Sequence, residues 1–480
     1  MDRAPGSGPA LTHDALAYWS GELGRWAAGY LESLRERPVR AQSEPGAILR
    51  QIPAAPPEEA TDFEALFRDF QDIVLPGITH WQHPRFFAYF AANSSPPSVL
   101  AEFLTSVLAA QCMLWQTSPA ATELETAMID WLRGMIGLPE AFRGVIQDSA
   151  SSATLAAILT ARERALGWEG NAKGLAGGPV CRIYATAEAH SSIDKSCWIA
   201  GIGQENLIKV ETAGARRGMR VDALQAAIRA DRATGLRPAG IVASLGGTST
   251  GACDDIAAVA EVARAEGLYL HVDAAWAGSA MICPEFRDLM AGAELADSFV
   301  FNPHKWLFTN FDCSAHFVRD PASLVRTLAI HPTYLETQGQ ADIVNYSEWS
   351  VPLGRRFRAL KLWFVIRSYG VRRMQELIRQ HVAWAEALAK RLEAEPDFEI
   401  VTQPLLSLFT FRYRPSDPQA SDRVNAALLQ AINDDGRIYL TPTKVEGRYV
   451  LRFQVGQTHS SAADVDLAFQ VVTDLARALD

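Results

Sequence analysis

Apolar and polar positions follow a repeating order through the middle of the chain. From about 100 to 345, short apolar runs alternate with longer segments whose apolar residues recur at helical spacing. The runs predict strands at 144–147, 180–186, 240–246, 267–276 and 297–306. The longer segments predict helices at 152–167, 220–235 and 254–267. Because strands that are apolar on both faces need cover on both sides, this order predicts an α/β fold with a mostly parallel central sheet and helices on both faces.

The two ends of the chain show different patterns. Residues 12–36 predict a helix, and a second helix is expected near Ala60 after a proline-rich connector. Two short helices and an aromatic loop cannot form a core alone, so 1–95 are interpreted as an N-terminal helical arm that packs on a partner subunit. Beyond about 375 a helix and then strands are expected. These predict a large domain over 96–375 and a smaller C-terminal α+β domain over 376–480.

Composition narrows the possible partners. The 480 residues carry a formal net charge of −10 without a run of Lys or Arg, which argues against nucleic acid as a partner. There is neither a leader pattern nor about 18 uninterrupted apolar residues, so no membrane contact is expected. The six cysteines are widely spaced without a C-x-x-C pair, so we expect neither disulfides nor a metal site. A reducing cytoplasm is the simplest location.

Polar residues of unusual kind stand at the ends of several predicted strands. Ser149, Ala150 and Ser151 precede a strong helix, where free amides favour a phosphate, although a plain serine N-cap explains them equally. Asp273 ends an apolar strand and requires a cation, a strong donor or a structural salt bridge. Ala275 is small and leaves room for a flat group beside that strand.

A histidine and a lysine complete this set. His190 follows another strand and is either a solvated residue or a flat ring that stacks on a ligand. Lys305 ends the run 297–306 and is either a snorkelling surface lysine or a buried nucleophile. Since 305 − 273 = 32 residues span one strand–helix–strand unit, Lys305 and Asp273 should lie near each other. Pyridoxal phosphate requires these four elements: a phosphate anchor, a ring platform, a carboxylate for the pyridine nitrogen and a Schiff-base lysine.

Longer motifs carry a family resemblance. With "FNPHKW", "HVDAAWAG", "AHSSIDK", "SPAATELE", "HPTYL" and "PLGRRFRALKLWFVIRSYG", the chain resembles the group II pyridoxal-phosphate decarboxylases, nearest to the aromatic-L-amino-acid branch. The resemblance runs from about Trp19 to the C-terminus. It implies the aspartate-aminotransferase-like fold (fold type I) and a tight homodimer with a swapped N-terminal arm. The resemblance to the aromatic branch implies that an aromatic L-amino acid is converted to the arylalkylamine and CO2.

The resemblance also implies roles for individual residues. Lys305 would form the Schiff base, Asp273 would hold the pyridine nitrogen protonated, and His190 would stack on the ring. The rest of the cofactor site would be formed by Ser149, Ala150, Ser151, Thr248, Ala275, Asn302 and His304. Asp148 stands where the animal enzymes have glycine, and a carboxylate so close to the phosphate needs a donor of its own.

The product of the reaction depends on the group that donates a proton to Cα after CO2 has been lost. The cofactor ring takes up the electrons as a quinonoid, and a positioned acid must then protonate Cα. Tyr334 lies in a polar stretch (333–343) typical of a mobile lid, where the pattern alone would favour a surface tyrosine. By resemblance Tyr334 is that acid. Relatives that form aldehydes by oxidative deamination commonly have Phe there or replace the stacking histidine, so Tyr334 with His190 favours a decarboxylase.

The substrate pocket is predicted only by matching positions to the family. The predicted residues are Trp81, Tyr89, Phe90, Ala91, Ala92, Met113 and Gly354. They suit an aromatic side chain, with tryptophan or 5-hydroxytryptophan first and DOPA or tyrosine next. Ala91, Ala92 and Met113 replace Pro, Thr and Phe of the animal enzymes, so a roomier pocket is expected. The alternatives are an aromatic aldehyde synthase and a non-catalytic homologue that only binds the cofactor.

Overall fold

The molecule is described here by a computed structural model over residues 11–330 and 343–479. Within these ranges the strands are β1 Arg143–Gln147, β2 Cys181–Thr186, β3 Leu207–Val210, β4 Thr212–Ala213, β5 Gly218–Met219, β6 Arg237–Ser244, β7 Tyr269–Asp273, β8 Ser298–Phe301, β9 Ser314–Val318, β10 Phe398–Leu405, β11 Leu408–Tyr413, β12 Thr441–Val445 and β13 Arg448–Gln454. The helices are α1 His13–Glu32, α2 Phe63–Asp69, α3 Pro96–Leu108, α4 Pro119–Ile136, α5 Ala150–Ala165, α6 Gly170–Lys173, α7 Ser192–Ile199, α8 Val221–Ala233, α9 Ile256–Glu266, α10 Pro303–Trp306, α11 Pro321–Leu328, α12 Arg358–Ala394, α13 Ser421–Asp435 and α14 Ala462–Arg477.

A seven-stranded sheet forms the centre of the large domain. Its strand order is β1-β9-β8-β7-β6-β2-β3, and β9 runs antiparallel to both of its neighbours while the remaining pairs are parallel. The predicted α/β class and all five predicted strands are confirmed, but the strand predicted over 297–306 ends at Phe301 and its last four residues form helix α10. Strand β9 was not predicted, because its short sequence Ser-Ala-His-Phe-Val mixes polar and apolar positions.

The sheet is buried on both faces, as its apolar strands require. Ile241 and Ala243 of β6 share a core with Val259 of α9, whereas Val242 between them packs with Ile158 of α5. Successive residues of a strand point to opposite faces, so this alternation places helices on each side. The arrangement leaves the carboxyl ends of the parallel strands as the edge where loops can form a site.

A second domain follows the long helix α12. Its antiparallel sheet has the order β10-β11-β13-β12 and packs with α13 and α14 around a separate apolar core. The helix expected to begin near 375 corresponds to the second half of α12, which starts after Gly370, whereas the first half from Arg358 was not predicted. Gly370, with φ +70° and ψ 154°, interrupts α12 and separates two helical halves, of which only the second was recognised in the sequence.

The N-terminal segment ends inside the small domain. Helix α1 is confirmed near its predicted range, yet only Ala15 and Trp19 of its residues are buried. Further along, Phe86 pairs with Tyr439, and the Phe87 carbonyl accepts a hydrogen bond from the Gln454 amide at 3.1 Å. In the described ranges, no helix has the length and hydrophobicity needed to cross a membrane.

Candidate active site

A cavity of about 300 Å³ opens at the carboxyl ends of strands β1, β2, β6, β7 and β8. The structure brings every residue predicted to bind the cofactor to its wall. These residues are Ser149, Ala150, Ser151, His190, Thr248, Asp273, Ala275, Asn302, His304 and Lys305. They come from five separate segments of the chain, and the parallel strands join them because their carboxyl ends share one edge of the sheet.

Lys305 lies on the short helix α10 directly after β8. Its ammonium nitrogen lies 5.1 Å from the centroid of the Phe90 ring and makes no hydrogen bond with residues 11–330 or 343–479. Burial lowers the pKa of Lys305 to about 8; the nearby Asp273 opposes this shift and the charge of Arg452 adds to it. A substantial fraction of this amine is therefore neutral, and hence nucleophilic, at mildly alkaline pH.

Asp273 is held at the last position of β7 with 8% of its surface exposed. Its Oδ1 accepts a hydrogen bond from the Ala275 amide at 3.0 Å. Its negative charge partly opposes the lowering of the pKa values of His190 and Lys305 by burial, so all three side chains lie within electrostatic range of one another. Asp273 forms no salt bridge in the described part of the chain. Within these residues, the alternative that Asp273 belongs to a structural salt bridge is therefore excluded.

His190 lines the cavity and lies in the loop that follows β2. Its Nδ1 lies 2.8 Å from the Ser192 hydroxyl and accepts a hydrogen bond from the Ser192 amide at 3.1 Å. Burial lowers the pKa of His190, with Lys305 adding to the shift and Asp273 opposing it. The ring is therefore neutral near pH 7, with its proton on Nε2, because Nδ1 is an acceptor.

The N-terminus of α5 forms the anion-binding end of the cavity. Ser149 is its N-cap, and its hydroxyl accepts from the Ser152 amide at 3.2 Å. The same hydroxyl donates to Oδ1 of Asp148 at 3.2 Å, which supplies the donor that this carboxylate needs. The first amides of a helix have no intrahelical partner, so those of Ala150 and Ser151 remain available for an anion.

His304 and Asn302 border the same cavity from α10. The Cys313 amide donates to Nδ1 of His304 at 2.8 Å, and burial lowers the pKa of His304 to about 3. Its ring is therefore a neutral hydrogen-bonding group. Oδ1 of Asn302 accepts from the Ser314 hydroxyl, which fixes the orientation of this amide.

One wall of the cavity is aromatic. Phe90 stacks on Trp276 at 4.6 Å between ring centroids, and Trp276 stacks on Trp306 at 5.2 Å. Arg452, with 3% of its surface exposed, has its guanidinium carbon 5.2 Å from the centroid of the Phe90 ring. A flat apolar group bound beside Lys305 would meet this wall.

The predicted substrate residues are placed in two different regions. Phe90 lines the cavity, whereas Trp81, Tyr89, Ala91 and Ala92 belong to the same segment but do not line it. Trp81 and Tyr89 stack on each other at 5.6 Å, with 39% and 47% of their surfaces exposed. Met113 and Gly354 lie elsewhere, beside Cys112 and Arg355, whose backbones are hydrogen-bonded at 3.0 Å. Tyr334 lies outside the described residues.

Sequence reasoning missed several residues of the wall. These are Ser192, Ser244, Gly246, Gly247, Trp276 and Phe311. Gly246 and Gly247 follow β6 just before Thr248, and paired glycines after a strand could have indicated a close-approach loop. The only sequence signal for Ser192 was its position two residues after His190, to which its amide donates a hydrogen bond. Phe311 had no local signal.

Other reactive groups do not form a competing site in the described part of the chain. All six cysteines are free and buried. Within residues 11–330 and 343–479, no cluster of His, Cys, Asp and Glu side chains could hold a metal ion.

The comparisons with known proteins match this geometry. The family model described as "Pyridoxal-dependent decarboxylase conserved domain" matches residues 45–414. The chain belongs to the pyridoxal-dependent decarboxylases. It is 42% identical to the aromatic-L-amino-acid decarboxylase of Sus scrofa, over 95% of each chain. It is also 38% identical to the phenylacetaldehyde synthase of Arabidopsis thaliana, over 93% of each chain.

A solved relative shares the fold of this decarboxylase throughout. The structure of Oryza sativa TDC with PLP and tryptamine superimposes with a TM-score of 0.94 and 34% identity, covering 98% of this chain and 99% of the other. Fold type I is therefore confirmed.

The cavity wall fits pyridoxal phosphate, the cofactor of this family. It combines free amides for a phosphate with a carboxylate and a lysine that lacks a hydrogen bond to any described residue. These are the chemical groups that the cofactor requires.

Proposed function

We propose that this decarboxylase removes the α-carboxylate of an aromatic L-amino acid as CO2 and releases the arylalkylamine. The observation that carries the proposal is the buried Lys305 amine beside Phe90 and within electrostatic range of Asp273. The 42% identity to an aromatic-L-amino-acid decarboxylase over 95% of each chain supports the same reaction. When bound, pyridoxal phosphate supplies the electron sink that makes loss of CO2 from Cα feasible.

Three residues of the protein have proposed roles in holding the cofactor and adjusting its charge. Lys305 would hold the cofactor through its amine. Asp273 would keep the pyridine nitrogen of the cofactor protonated, since a carboxylate stabilises the charged form. His190, neutral and flat, would stack on the cofactor ring. Lys305 would therefore act as a nucleophile, Asp273 through its charge and His190 through its shape.

The phosphate end of the site has its own residues. Ser149, Ala150 and Ser151 provide the N-terminus of α5, and Thr248, Asn302 and His304 border it. Ala275 leaves space beside the ring. The support for these roles is the shared cavity wall together with the family membership.

Tyr334 is proposed as the acid that delivers a proton to Cα after CO2 has left. Its support is the family resemblance of the surrounding sequence, and its presence favours amine over aldehyde as product. The similarity to phenylacetaldehyde synthase makes oxidative deamination the alternative reaction.

An aromatic substrate is supported by the aromatic wall. Phe90 and Trp276 offer a flat apolar surface next to the reacting amine. The rice relative was solved with tryptamine, so tryptophan and 5-hydroxytryptophan are placed first, followed by DOPA and tyrosine. The segment that carries Trp81, Tyr89, Ala91 and Ala92 is proposed to close around the side chain.

A homodimer with a swapped N-terminal arm is the proposed assembly, in the cytoplasm. Helix α3 exposes a row of large apolar residues, namely Val99, Leu100, Phe103, Leu104, Val107 and Leu108, each at least 40% exposed. Helix α1 likewise exposes Leu16, Tyr18 and Leu23. Such faces need cover, and a second copy provides it symmetrically. Gly354 borders α3 beside Thr105 and Ser106, so Gly354 and its neighbour Met113 would reach the site of that second copy.

The test is a product balance on the purified protein with pyridoxal phosphate. Amine, CO2, ammonia and hydrogen peroxide are followed for tryptophan, DOPA, tyrosine, phenylalanine and glutamate. Equal amounts of amine and CO2 from an aromatic substrate, abolished in Lys305→Ala, support the proposal. Aldehyde, ammonia and peroxide would instead show an aldehyde synthase, and Tyr334→Phe tests whether Tyr334 decides between the two. Bound cofactor without turnover of any substrate would favour the non-catalytic homologue.

The assembly has a separate test. Sedimentation equilibrium should give twice the mass of the chain, and Leu104→Glu on α3 should yield monomers. Monomeric unmutated protein at micromolar concentration would refute the dimer.

A further inference from the structure

One buried asparagine joins three parts of the chain next to Lys305. Asn93 has 1% of its surface exposed. Its Nδ2 donates to the Lys305 carbonyl at 2.6 Å and to the Gly456 carbonyl at 2.8 Å. Its Oδ1 accepts from the Thr458 amide at 2.8 Å and from the Thr458 hydroxyl at 2.6 Å. An amide side chain has two donor hydrogens and two acceptor lone pairs, so its full capacity is used.

We propose that Asn93 is a positioning residue that couples the small domain to Lys305. The inference rests on the proposed role of Lys305 as the cofactor lysine. Asn93 lies near the end of the N-terminal segment 1–95, Lys305 lies on α10 of the large domain, and Gly456 and Thr458 follow β13 of the small domain. A displacement of the 456–458 segment is therefore transmitted through one amide to the backbone of the lysine.

The orientation of this amide is determined by its partners. Rotating it by 180° would place Oδ1 against the two carbonyls of Lys305 and Gly456 and Nδ2 against the donating Thr458 amide. Both contacts would be repulsive, so only one orientation satisfies the site. A buried polar group with all its partners present holds neighbouring segments rigidly, whereas loss of one partner leaves unsatisfied groups.

Lys305 depends on this contact because its helix is short. Helix α10 has four residues, and the Lys305 amide donates to the Asn302 carbonyl at 2.9 Å. The other end of the Lys305 peptide is fixed by Asn93. With both ends held, the side chain is directed over Phe90 and into the cavity. Without Asn93, the carbonyl end of α10 would be unsatisfied and free to shift.

The experiment compares two buried asparagines in the holoenzyme. Asn425, with 0% of its surface exposed, bonds the amide and carbonyl of Tyr413 at 2.8 Å and also donates to the Ser421 carbonyl. It lies within the small domain, which makes Asn425→Ala a matched control for the structural cost of Asn93→Ala. Thermal unfolding, the rate of pyridoxal phosphate release and the pH midpoint of the bound cofactor's absorbance are measured for both.

We expect both alanine variants to unfold at lower temperature, but only Asn93→Ala to release the cofactor about tenfold faster and to shift the absorbance midpoint. Asn93→Asp keeps the acceptor for Thr458 but puts a carboxylate against two carbonyls, so it should match Asn93→Ala. Equal release rates and midpoints in Asn93→Ala and the unmutated protein would overturn the proposal.

A milder variant covers the case in which Asn93→Ala does not fold. Thr458→Val removes one acceptor contact of Oδ1 and should release the cofactor a few-fold faster; an unchanged release rate would contradict the coupling. Failure of the proposed function would look different, because the unmutated protein would then bind pyridoxal phosphate no better than Lys305→Ala.

Discussion

Arg452 and Lys305 approach the same aromatic ring. The guanidinium carbon of Arg452 lies 5.2 Å from the centroid of Phe90, and the ammonium nitrogen of Lys305 lies 5.1 Å from it. Two cations near one ring repel each other, and this repulsion adds to the desolvation that lowers the pKa of Lys305 to about 8. Arg452 hydrogen-bonds to the Tyr89 and Ser249 carbonyls and the Thr441 hydroxyl, so its own position is secured by neutral partners.

The first prediction concerns the pH at which the protein captures its cofactor. A neutral amine attacks the aldehyde, so capture by cofactor-free protein should rise with pH through about 8 and then level off. Arg452→Gln removes the repelling charge, raises the pKa of Lys305, and should slow capture at pH 7 several-fold while shifting the midpoint upward. Stopped-flow absorbance at several pH values measures this. Arg412→Gln, at another buried arginine of the small domain, should leave the midpoint unchanged.

The second prediction concerns Asp273. Asp273→Asn has the same size and can still accept from the Ala275 amide, so the fold should persist. Without the negative charge, the protonated pyridine nitrogen loses its stabilising partner, and kcat should fall by about 10²–10³-fold. Steady-state kinetics together with cofactor absorbance separates this loss from weaker binding. An activity within threefold of the unmutated enzyme would exclude the proposed role.

The third prediction concerns a buried ion pair beneath the Cys112–Arg355 contact. Arg355 and Glu125 have side chains 2% and 3% exposed and form two hydrogen bonds, at 2.6 and 3.1 Å. Glu125→Gln leaves the buried guanidinium without its counter-charge and should lower the free energy of unfolding by about 3–5 kcal/mol. Urea denaturation measures this. Glu261→Gln, in the exposed pair with Arg264, should change it by less than about 0.5 kcal/mol.

The fourth prediction concerns stability in acid. His316 is fully buried, neither ring nitrogen has a hydrogen-bond partner among the described residues, and burial lowers its pKa to about 4. Between pH 6.5 and 4 the unfolded chain binds a proton that the folded chain does not, so stability falls as pH falls through this window.

His316→Leu removes this contribution, which amounts to a slope of about 1.4 kcal/mol per pH unit. Urea unfolding at pH 7, 5.5 and 4.5 should therefore show a flatter dependence for this variant. Other histidines whose pKa burial lowers, among them His271, His304 and His381, remain to give a residual slope. Replacing the exposed His13 by Gln is the control, and the same slope in His316→Leu as in the unmutated protein would disprove the assignment.

The cofactor site was more predictable than the substrate site for a physical reason. Asp273 ends β7 and Lys305 follows the neighbouring parallel strand β8, so local patterns and the topology of a parallel sheet suffice to bring them together. Met113 and Gly354 lie on loops whose positions depend on tertiary packing. The periodic pattern of apolar residues does not predict such positions. The partners of Asn93 lie at 305, 456 and 458, so its role had no local signal at all.

The fold likewise contains elements that the local sequence predicts and elements that it does not. The buried strands β6, β7 and β8 are apolar enough to be recognised from sequence. Strand β9 completes the sheet between β1 and β8, yet its alternating small, polar and aromatic residues resemble a loop. Only the part of helix α12 beyond Gly370 was predicted from the sequence. The glycine divides the helical pattern of apolar residues into two parts.

The pairing of Phe86 with Tyr439 has a consequence during synthesis. The two residues are 439 − 86 = 353 positions apart, and a ribosome adds about 5–20 residues per second. Phe86, Phe87 and Ala88, all with 0% exposure in the finished molecule, must therefore wait roughly 20–70 s for the strands that cover them. Throughout that interval the nascent chain lacks the strands against which this apolar segment packs.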